Sequence, residues 1–370
     1  MNLILKYNKY KTKYLNLKYS GGFDKCMIDE TDKILFGDGG STSIIIITKN
    51  KKVYKIMTFY FHIDNILLDN EIKNLNKIIK NEINIYKLLT KNIINKDISN
   101  HIVKYINLNN CNNVKELFNC PKKYNEFLKL NEDKKTKLCD MLYRGYPITK
   151  LNDKYKVLEI EYCNYSCKDF IKDISNLSII EMEKYLDIFF FQIIYTIMSI
   201  QKIYPFFIHR DLFIRNILGL KEKDNGNYYT YTFNNKKYFI PQKLFYPKIN
   251  DFGMTNLNDK YKSVKLYKNE YKDIYNLLID VYNGQNLGSN SLTELCKNNE
   301  DKLLFLKSYF SNFFNVNIID EYKLKSINEI NWNWNNILDD EYLKSIEMKN
   351  PNDLLNEYFY NIFNKINTKI

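Results

Sequence analysis

The chain has 370 residues, of which 45% are hydrophobic and 15% aromatic, and this composition excludes an intrinsically disordered protein. The formal net charge is +12, yet only three of the 55 basic residues are Arg: Arg144, Arg210 and Arg215. Lys, Asn, Ile and Tyr are all abundant, which is typical of an A/T-rich coding sequence. The basic charge therefore does not indicate a specific nucleic-acid partner.

Residues 1–23 differ from the rest of the chain. Apolar residues recur there at steps of four and three, which predicts one apolar helical stripe: Leu3, Tyr7, Tyr10, Tyr14 and Leu17. Lysines occupy many of the other positions, and no acidic residue precedes Asp24. Two interpretations remain open: a docking helix for a partner or an anionic surface, and a helix packed on its own domain.

The next region predicts a small, β-rich domain. A short apolar run leads to a glycine cluster, Gly37, Gly39 and Gly40, and strand-like runs at 44–48 and 53–56 follow, the second with Lys55. Glycines between strands let the backbone approach a phosphate closely. An amphipathic helix is expected over about 64–90. Residues 107–150 are rich in Asn and Lys and predict an insertion between strands.

The most informative stretch covers residues 207–218. It contains His209, Arg210, Asp211 and Asn216 in the spacing H-R-D-x-x-x-x-N, and Asp251 opens a downstream D-F-G. Two of the three Arg and one of the three His in the chain fall in this loop. The rare residues of the chain are thus concentrated around one carboxylate, which predicts a functional site in this loop.

These two motifs resemble the catalytic loop and the magnesium-binding turn of the protein kinase family. The resemblance implies an α+β, bilobal fold: a small antiparallel-sheet N-lobe at 24–160 and a larger, mainly helical C-lobe at 161–370, with ATP and Mg²⁺ between them. It also implies that Asp211 is the catalytic base and that Asn216 and Asp251 are metal ligands.

The same resemblance assigns further residues around the nucleotide. Lys55 would grip the phosphates, and Glu82 would pair with it, although Glu71 and Glu161 remain alternatives for that role. Gly37, Gly39 and Gly40 would cover the phosphates, with Thr42 where the third motif glycine usually stands. The backbone near Glu161 and Cys163 would bind the adenine edge, and Arg215 would serve the transferred phosphate.

Further expectations concern the second half of the chain. An apolar helix at Met182 to Ile203 resembles the C-lobe helix that is buried beneath the catalytic loop. Residues 228–233 and 236–240 alternate around Asn234-Asn235, which predicts a β-hairpin placed to contact substrate. Lys272 to Leu278 resembles the central C-lobe helix with its buried Asp, and Trp332 and Trp334 are expected in the core.

Some features depart from the family pattern. No A-P-E follows Gly253, which predicts a short activation segment, and Phe213 replaces the lysine that Ser/Thr kinases carry two residues after the base. We expect ATP-dependent transfer of the γ-phosphate to a protein hydroxyl, Ser/Thr in preference to Tyr. The alternatives are a kinase-like small-molecule phosphotransferase and a nucleotide-binding pseudokinase or scaffold. The resemblance extends to the divergent kinases of large DNA viruses.

The sequence also carries expectations about location. No apolar run reaches the length needed to span a bilayer, and the first apolar residues are too few for a signal peptide. The seven Cys lack paired CxxC spacing, which favours reduced thiols. We expect an intracellular, cytoplasmic protein without a transmembrane segment, in the host cytoplasm or the virion if it is viral, that acts on a protein substrate.

Overall fold

The computed structural model describes residues 31–36, 43–60, 66–112, 151–257, 272–284, 291–313 and 349–365. Helices and antiparallel sheets alternate along the chain, so the fold class is α+β, as predicted. The chain divides into two compact units, the first made of Met1–Lys87 and Lys104–Tyr162, the second of Leu88–Val103 and Cys163–Ile370. The predicted N-terminal extension, 1–23, lies outside the described residues.

The first unit is built on a five-stranded antiparallel sheet. Its strands are β1 (Thr31–Phe36), β2 (Ser43–Thr48), β3 (Val53–Tyr60), β4 (Tyr105–Asn112) and β5 (Leu151–Ile160). Their order in the sheet is β1-β2-β3-β5-β4, so β3 lies at the centre. Isoleucine-rich β2 suits a pleated, half-buried surface because β-branched side chains pack well there.

Two details of this unit differ from the sequence-based expectation or refine it. Helix α1 (Ile66–Asn92) is slightly longer than the predicted 64–90 segment at its C-terminal end. Strand β4 continues to Asn112, so the segment predicted as an insertion from residue 107 begins with six strand residues. Those six residues pair with β5, which gives their backbone groups hydrogen-bond partners. The rest of that segment, 113–150, is not described.

The second unit is organised around helix α3 (Ile179–Ile203), which follows α2 (Cys167–Ser175). A capping box starts each helix: Ser166 with Asp169 in α2, and Ser178 with Glu181 in α3. The middle of α3 is buried on all sides, and its aromatic rings pack against rings from several other elements. A helix that is apolar around its whole circumference belongs in the interior of a domain.

Helix α3 corrects one expectation. Among the described residues, α3 is the helix whose length and composition would allow it to cross a membrane, whereas the sequence analysis found no apolar run of that length. Within its most apolar window, however, 89% of the residues are buried inside the protein. That burial is the property of a core helix, which passes the same test of length and composition.

Two small sheets complete the second unit. The first has the order β10-β7-β6, from β6 (Tyr165–Ser166), β7 (Ile217–Glu222) and β10 (Leu244–Ile249). The second is the hairpin of β8 (Tyr228–Phe233) and β9 (Lys236–Pro241). The sequence predicted this hairpin, because Asn-Asn at its tip tolerates the left-handed backbone that a tight turn requires.

The β8–β9 hairpin packs on its own unit. Tyr231, Phe233 and Tyr238 are buried, and the Tyr238 hydroxyl donates to the carbonyl of Leu355 at 3.0 Å. These buried side chains give the hairpin a structural role, and its predicted contact with substrate stays a prediction. The hairpin packs against both strand β10 and the closing helical segment of the chain.

The remaining described helices are α4 (Lys272–Asn283), α5 (Leu292–Leu295), α6 (Glu300–Ser311), α7 (Pro351–Asp353) and α8 (Tyr360–Phe363), with a π-helical stretch, Leu354–Phe359, between the last two. Of these helices, α6 and α7 pack on α3. Phe310 and Phe313 pack on Phe190 of α3. The predicted core tryptophans at 332 and 334 lie outside the described residues.

The cysteines only partly follow the expectation of reduced thiols. Cys163, Cys167 and Cys296 are free, but Cys111 at the end of β4 is disulfide-bonded. Burial, and after it the nearby Asp280 carboxylate, raises the pKa of the Cys167 thiol well above its ordinary value. Cys167 is therefore a protonated core residue rather than a reactive thiolate.

Candidate active site

In the first unit the structure brings Lys55 and Glu82 together. Lys55 lies on β3 between Ile45 of β2 and Leu158 of β5, and Glu82 lies on α1. The Lys55 Nζ donates to Glu82 Oε1, and both side chains are almost completely buried. A buried ion pair of this kind holds the ammonium group in one place.

Glu161, one of the two alternative partners for Lys55, binds the backbone of Lys104. Glu161 accepts a hydrogen bond from the Lys104 backbone N–H at 3.1 Å, while its own N–H donates to the Lys104 carbonyl at 2.9 Å. Its carboxylate therefore caps the start of β4. The Glu71 side chain lies outside the described part of α1. Glu82 is the glutamate that the structure places on Lys55.

In the second unit a single loop presents Asp211 and Asn216. The Asn216 Nδ2 donates to both the backbone carbonyl and the Oδ2 of Asp211, each at 2.7 Å. Arg215 binds the other carboxylate oxygen, Oδ1, through Nη2. The Arg215 guanidinium carbon also lies 4.9 Å from the centre of the Phe213 ring. The carboxylate of Asp211 is thus fixed in orientation from both sides.

These contacts change the interpretation of Arg215. The resemblance assigned this side chain to the transferred phosphate, whereas the structure shows it bound to the carboxylate of Asp211 and stacked on Phe213. A guanidinium has five donors, so one bond to Asp211 leaves donors that can face an anion. The two roles are compatible, and the contact with Asp211 is the one present in the structure.

Asp251 follows strand β10 and stands next to the same loop. Its backbone is left-handed, with φ 62° and ψ 73°, and it precedes a 3-10 turn over Phe252–Met254. The neighbouring Asn250 N–H donates to the Asn216 carbonyl at 2.9 Å, and the Asn250 carbonyl lies 2.9 Å from His209 Nε2. Phe252 is fully buried against the His209 ring. These contacts join the D-F-G turn to the catalytic loop.

The electrostatics of Asp211 reflect this crowding. Burial is the largest influence and raises the pKa of Asp211 above its ordinary value, and the nearby Asp251 carboxylate raises it further. Arg215, His209 and the hydrogen bond from Asn216 act in the opposite direction and lower that pKa. A carboxylate with a raised pKa is a better proton acceptor, which suits a general base.

Two aspartates of α4 hold the backbone of this loop; the sequence indicated the first and missed the second. The sequence indicated a buried aspartate at the start of α4, and Asp273 accepts the backbone N–H groups of His209 and Arg210 at 2.6 and 2.8 Å. Asp280, which was not singled out, accepts the Ile214 N–H at 2.8 Å. Its only sequence signal is an acidic residue within the apolar run from Leu277 to Val281, seven positions after Asp273.

The other predicted site residues fall in both units of the chain. Gly37, Gly39 and Gly40 lie outside the described residues. Glu161 directly follows β5 in the first unit, and Cys163 belongs to the second unit and is half-buried. Arg210 has a left-handed backbone, with φ 67°. On either side of it, the His209 N–H donates to Asp273 and the Asp211 N–H donates to the His209 ring.

A cavity of about 260 Å³ in the second unit contains none of the predicted site residues. Asp187 of α3 lines it, and burial raises the pKa of that carboxyl to about 7. The hydroxyls of Tyr309 and Tyr358 both donate to Asp187 Oδ1, at 2.9 and 3.0 Å. This carboxyl group is therefore part of the packing between α3, α6 and the closing helix.

The donor set near Asp211 fits a hard divalent cation. Because the Asn216 Nδ2 is engaged with Asp211, the side-chain oxygen of Asn216 is the atom left for a metal. The Asp251 carboxylate, which is close enough to raise the pKa of Asp211, would supply a second oxygen of the kind that Mg²⁺ prefers. No cluster of three or more His, Cys, Asp or Glu side chains occurs among the described residues, so phosphate and water oxygens would complete the shell.

The comparison with known proteins agrees with this geometry. A protein of Acanthamoeba polyphaga mimivirus with the curated name "putative serine/threonine-protein kinase" is 30% identical to this chain over 286 residues. The match covers 66% of this chain and 69% of the viral protein. The chain belongs to the protein kinase family. No family model matches it.

Membership of the kinase family defines the general chemistry. Kinases are phosphotransferases whose catalysis depends on positioning and charge neutralisation rather than on a covalent intermediate. The loop that holds Asp211 and Asn216 supplies positioning of this kind, because hydrogen bonds fix both ends of the Asp211 carboxylate.

Proposed function

We propose that this kinase transfers the γ-phosphate of ATP, with Mg²⁺, to a protein hydroxyl, and that Ser and Thr are preferred to Tyr. The observation that carries the proposal is the fixed Asp211 carboxylate, held by Asn216 and Arg215 in a loop joined to the turn of Asp251. The Ser/Thr preference is supported by the name of the mimivirus relative.

Asp211 orients the acceptor hydroxyl and takes its proton. Its two oxygens are already held in place, so the carboxylate does not have to reorganise when the hydroxyl arrives. Burial raises the pKa of Asp211 and so increases the basicity of the carboxylate, while Arg215 lowers that pKa.

Asp251 and the Asn216 side-chain oxygen would hold Mg²⁺. When bound, this ion neutralises charge on the phosphates. The asparagine would act in two directions: its amide nitrogen orients Asp211, and its oxygen would hold the metal. This double use explains why the loop needs an amide at position 216, because a carboxylate there could not donate to Asp211.

We extend the proposal to the remaining nucleotide contacts. Lys55, fixed by Glu82, holds the phosphates, and Gly37, Gly39 and Gly40 cover them. The adenine edge binds the backbone near Glu161 and Cys163; at Glu161 this contact uses the carbonyl, because the N–H already donates to Lys104. On this proposal the kinase N-lobe is residues 24–160, the C-lobe is 161–370, and the protein works inside the cell.

The test is transfer of label from γ-labelled ATP to a panel of proteins and peptides with Ser, Thr or Tyr as acceptor. Asp211→Asn and Asp251→Asn should each reduce transfer by about a thousandfold or more, since each removes a group that acts in the transition state. Glu294→Gln, which changes an exposed carboxylate paired with Lys297, is the matched control. Equal transfer by all four proteins, or label that reaches only small molecules, would contradict the proposal.

A further inference from the structure

We infer that Asp280 is a positioning residue for the catalytic loop and forms, with Asp273, a two-point backbone clamp. This inference rests on the proposed kinase function for its effect on the reaction. Asp273 and Asp280 are seven residues apart in helix α4, which is two turns, so both side chains point from the same face of the helix. Both are 1% exposed.

The two carboxylates hold the loop on either side of Asp211. Asp273 accepts the N–H groups of His209 and Arg210, while Asp280 accepts the N–H of Ile214 through Oδ2. The base is thus attached two residues upstream and three residues downstream to one rigid helix. A segment held at both ends by buried hydrogen bonds to charged groups has little freedom to move.

The downstream contact matters because of what Ile214 begins. Ile214–Asn216 forms a 3-10 turn, and the first N–H groups of such a turn have no partner within it. Ile214 is buried, so water cannot replace the missing acceptor. Asp280 provides that acceptor, and the turn then presents Asn216, whose Nδ2 orients Asp211.

The surroundings of Asp280 keep this contact dry. Cys167, the first residue of α2, is fully buried, and the influence of Asp280 on its pKa shows that the two side chains are close. In a dry environment an N–H that loses its acceptor keeps the full cost of desolvation. The clamp is therefore sensitive to loss of one partner and tolerant of loss of both.

That asymmetry gives a sharp experiment. Asp280→Leu leaves the Ile214 N–H without its acceptor and should lower kcat by about tenfold to a hundredfold, with little change in KM for ATP. Ile214→Pro removes the N–H itself. The backbone permits proline, because Ile214 opens the turn and Phe213 is extended, with φ −129° and ψ 166°.

The decisive protein is the double variant with Asp280→Leu and Ile214→Pro. It should have a higher kcat than Asp280→Leu alone, because neither an unpaired donor nor an unpaired carboxylate remains. Ile214→Ala combined with Asp280→Leu is the matched control: it removes side-chain packing but keeps the N–H, and should show no rescue. Asp280→Asn keeps an acceptor oxygen and should retain most of the activity.

Rescue by Ile214→Ala as well as by Ile214→Pro, or rescue by neither, would overturn the inference. Amide hydrogen exchange at Ile214 separates this from failure of the proposed function. If the unmodified protein transfers no phosphate, the kinase proposal fails, but hydrogen exchange still tests the clamp. Protection of the Ile214 amide that is lost in Asp280→Leu supports the clamp. Exchange at Ile214 that is the same in both proteins refutes it.

Discussion

The two units hold their functional side chains in different ways. In the first unit, Lys55 and Glu82 bind each other directly, side chain to side chain, across 27 positions of sequence. In the second unit, Asp211 and Asn216 lie in one loop, and that loop is held through its backbone by Asp273 and Asp280. The first arrangement fixes the position of a charge, and the second fixes the shape of a backbone segment.

The difference has a consequence for mutational effects. Removal of one member of an ion pair leaves a buried charge, which is costly for folding. Changes around a clamped loop alter geometry near the reacting atoms and can impair chemistry more than folding. Substitutions in the first unit should therefore mainly change its stability, and substitutions in the second unit should mainly change the rate of the reaction.

The largest effect on stability is expected at the ion pair. Lys55→Met leaves the carboxylate of Glu82, which is 1% exposed, without its ammonium partner, and should destabilise the first unit by about 3–5 kcal/mol. Adding Glu82→Leu should restore most of that stability, because no buried charge is left, while phosphate transfer stays absent. Native-state hydrogen exchange of the β3 amides measures the first, and label transfer the second.

A double variant that regains both stability and phosphate transfer would contradict the role of Lys55. A double variant as unstable as Lys55→Met would show that the buried charge of Glu82 is not the cause. The two readouts thus separate the contribution of the pair to folding from its contribution to nucleotide binding.

The next largest effect is expected where strands β7 and β10 pair in the second unit. A Cβ at Gly219 of β7 would lie 2.2 Å from the Tyr246 carbonyl oxygen and 2.4 Å from the Phe245 ring, so Gly219→Ala forces β7 and β10 apart. We expect a loss of about 2–3 kcal/mol of unfolding free energy. Because Asn216 precedes β7 and Asp251 follows β10, transfer should fall as well.

Gly226→Ala is the matched control for Gly219→Ala. Gly226 has φ +73° and nothing within 4 Å of a built Cβ, so the cost there is the backbone strain of about 1 kcal/mol alone. Urea unfolding compares the two variants. Equal destabilisation, or full phosphate transfer by Gly219→Ala, would mean that the close approach of the strands does not support the site.

The smallest effect is a shift in pH dependence. Arg215 lowers the pKa of Asp211, so Arg215→Met should raise that pKa. Since the base must be ionised, activity is lost as the pH falls through this pKa, and a higher pKa moves the acid limb of the kcat/KM profile to higher pH. The shift should be at most about one unit, because the Arg215 side chain is 38% exposed and solvent screens the pair.

A profile unchanged by Arg215→Met, or shifted to lower pH, would show that Arg215 does not act on Asp211. Lys297→Met, which removes an exposed cation paired with Glu294, is the control and should leave the acid limb in place. Because the pair is partly exposed, high salt should reduce the difference between the unmodified protein and Arg215→Met.

The sequence predicted what depends on short-range spacing. The loop from His209 to Asn216, the hairpin at Asn234-Asn235 and the α+β class all follow from local patterns. It also proposed Glu82 as the partner of Lys55, although spacing alone left Glu71 and Glu161 open. Only the packing of α1 on β3 selects among the three.

The sequence could not predict contacts that depend on tertiary packing. The hydrogen bond from Ile214 to Asp280 joins residues 66 positions apart and involves a backbone N–H, which leaves no mark on residue type. The disulfide of Cys111 was missed for the same reason, because it depends on what surrounds the segment. Composition alone describes a segment, not its neighbours.

The most direct test of the central claim is Mg²⁺-dependent ATP binding, measured by calorimetry for the unmodified protein, Asp211→Asn and Asp251→Asn. If Asp251 is a metal ligand and Asp211 the base, Asp251→Asn weakens this binding at least about tenfold, whereas Asp211→Asn binds ATP normally and fails only in transfer. Equal binding by all three proteins, or an equal loss in both variants, would contradict the assignment of these two roles.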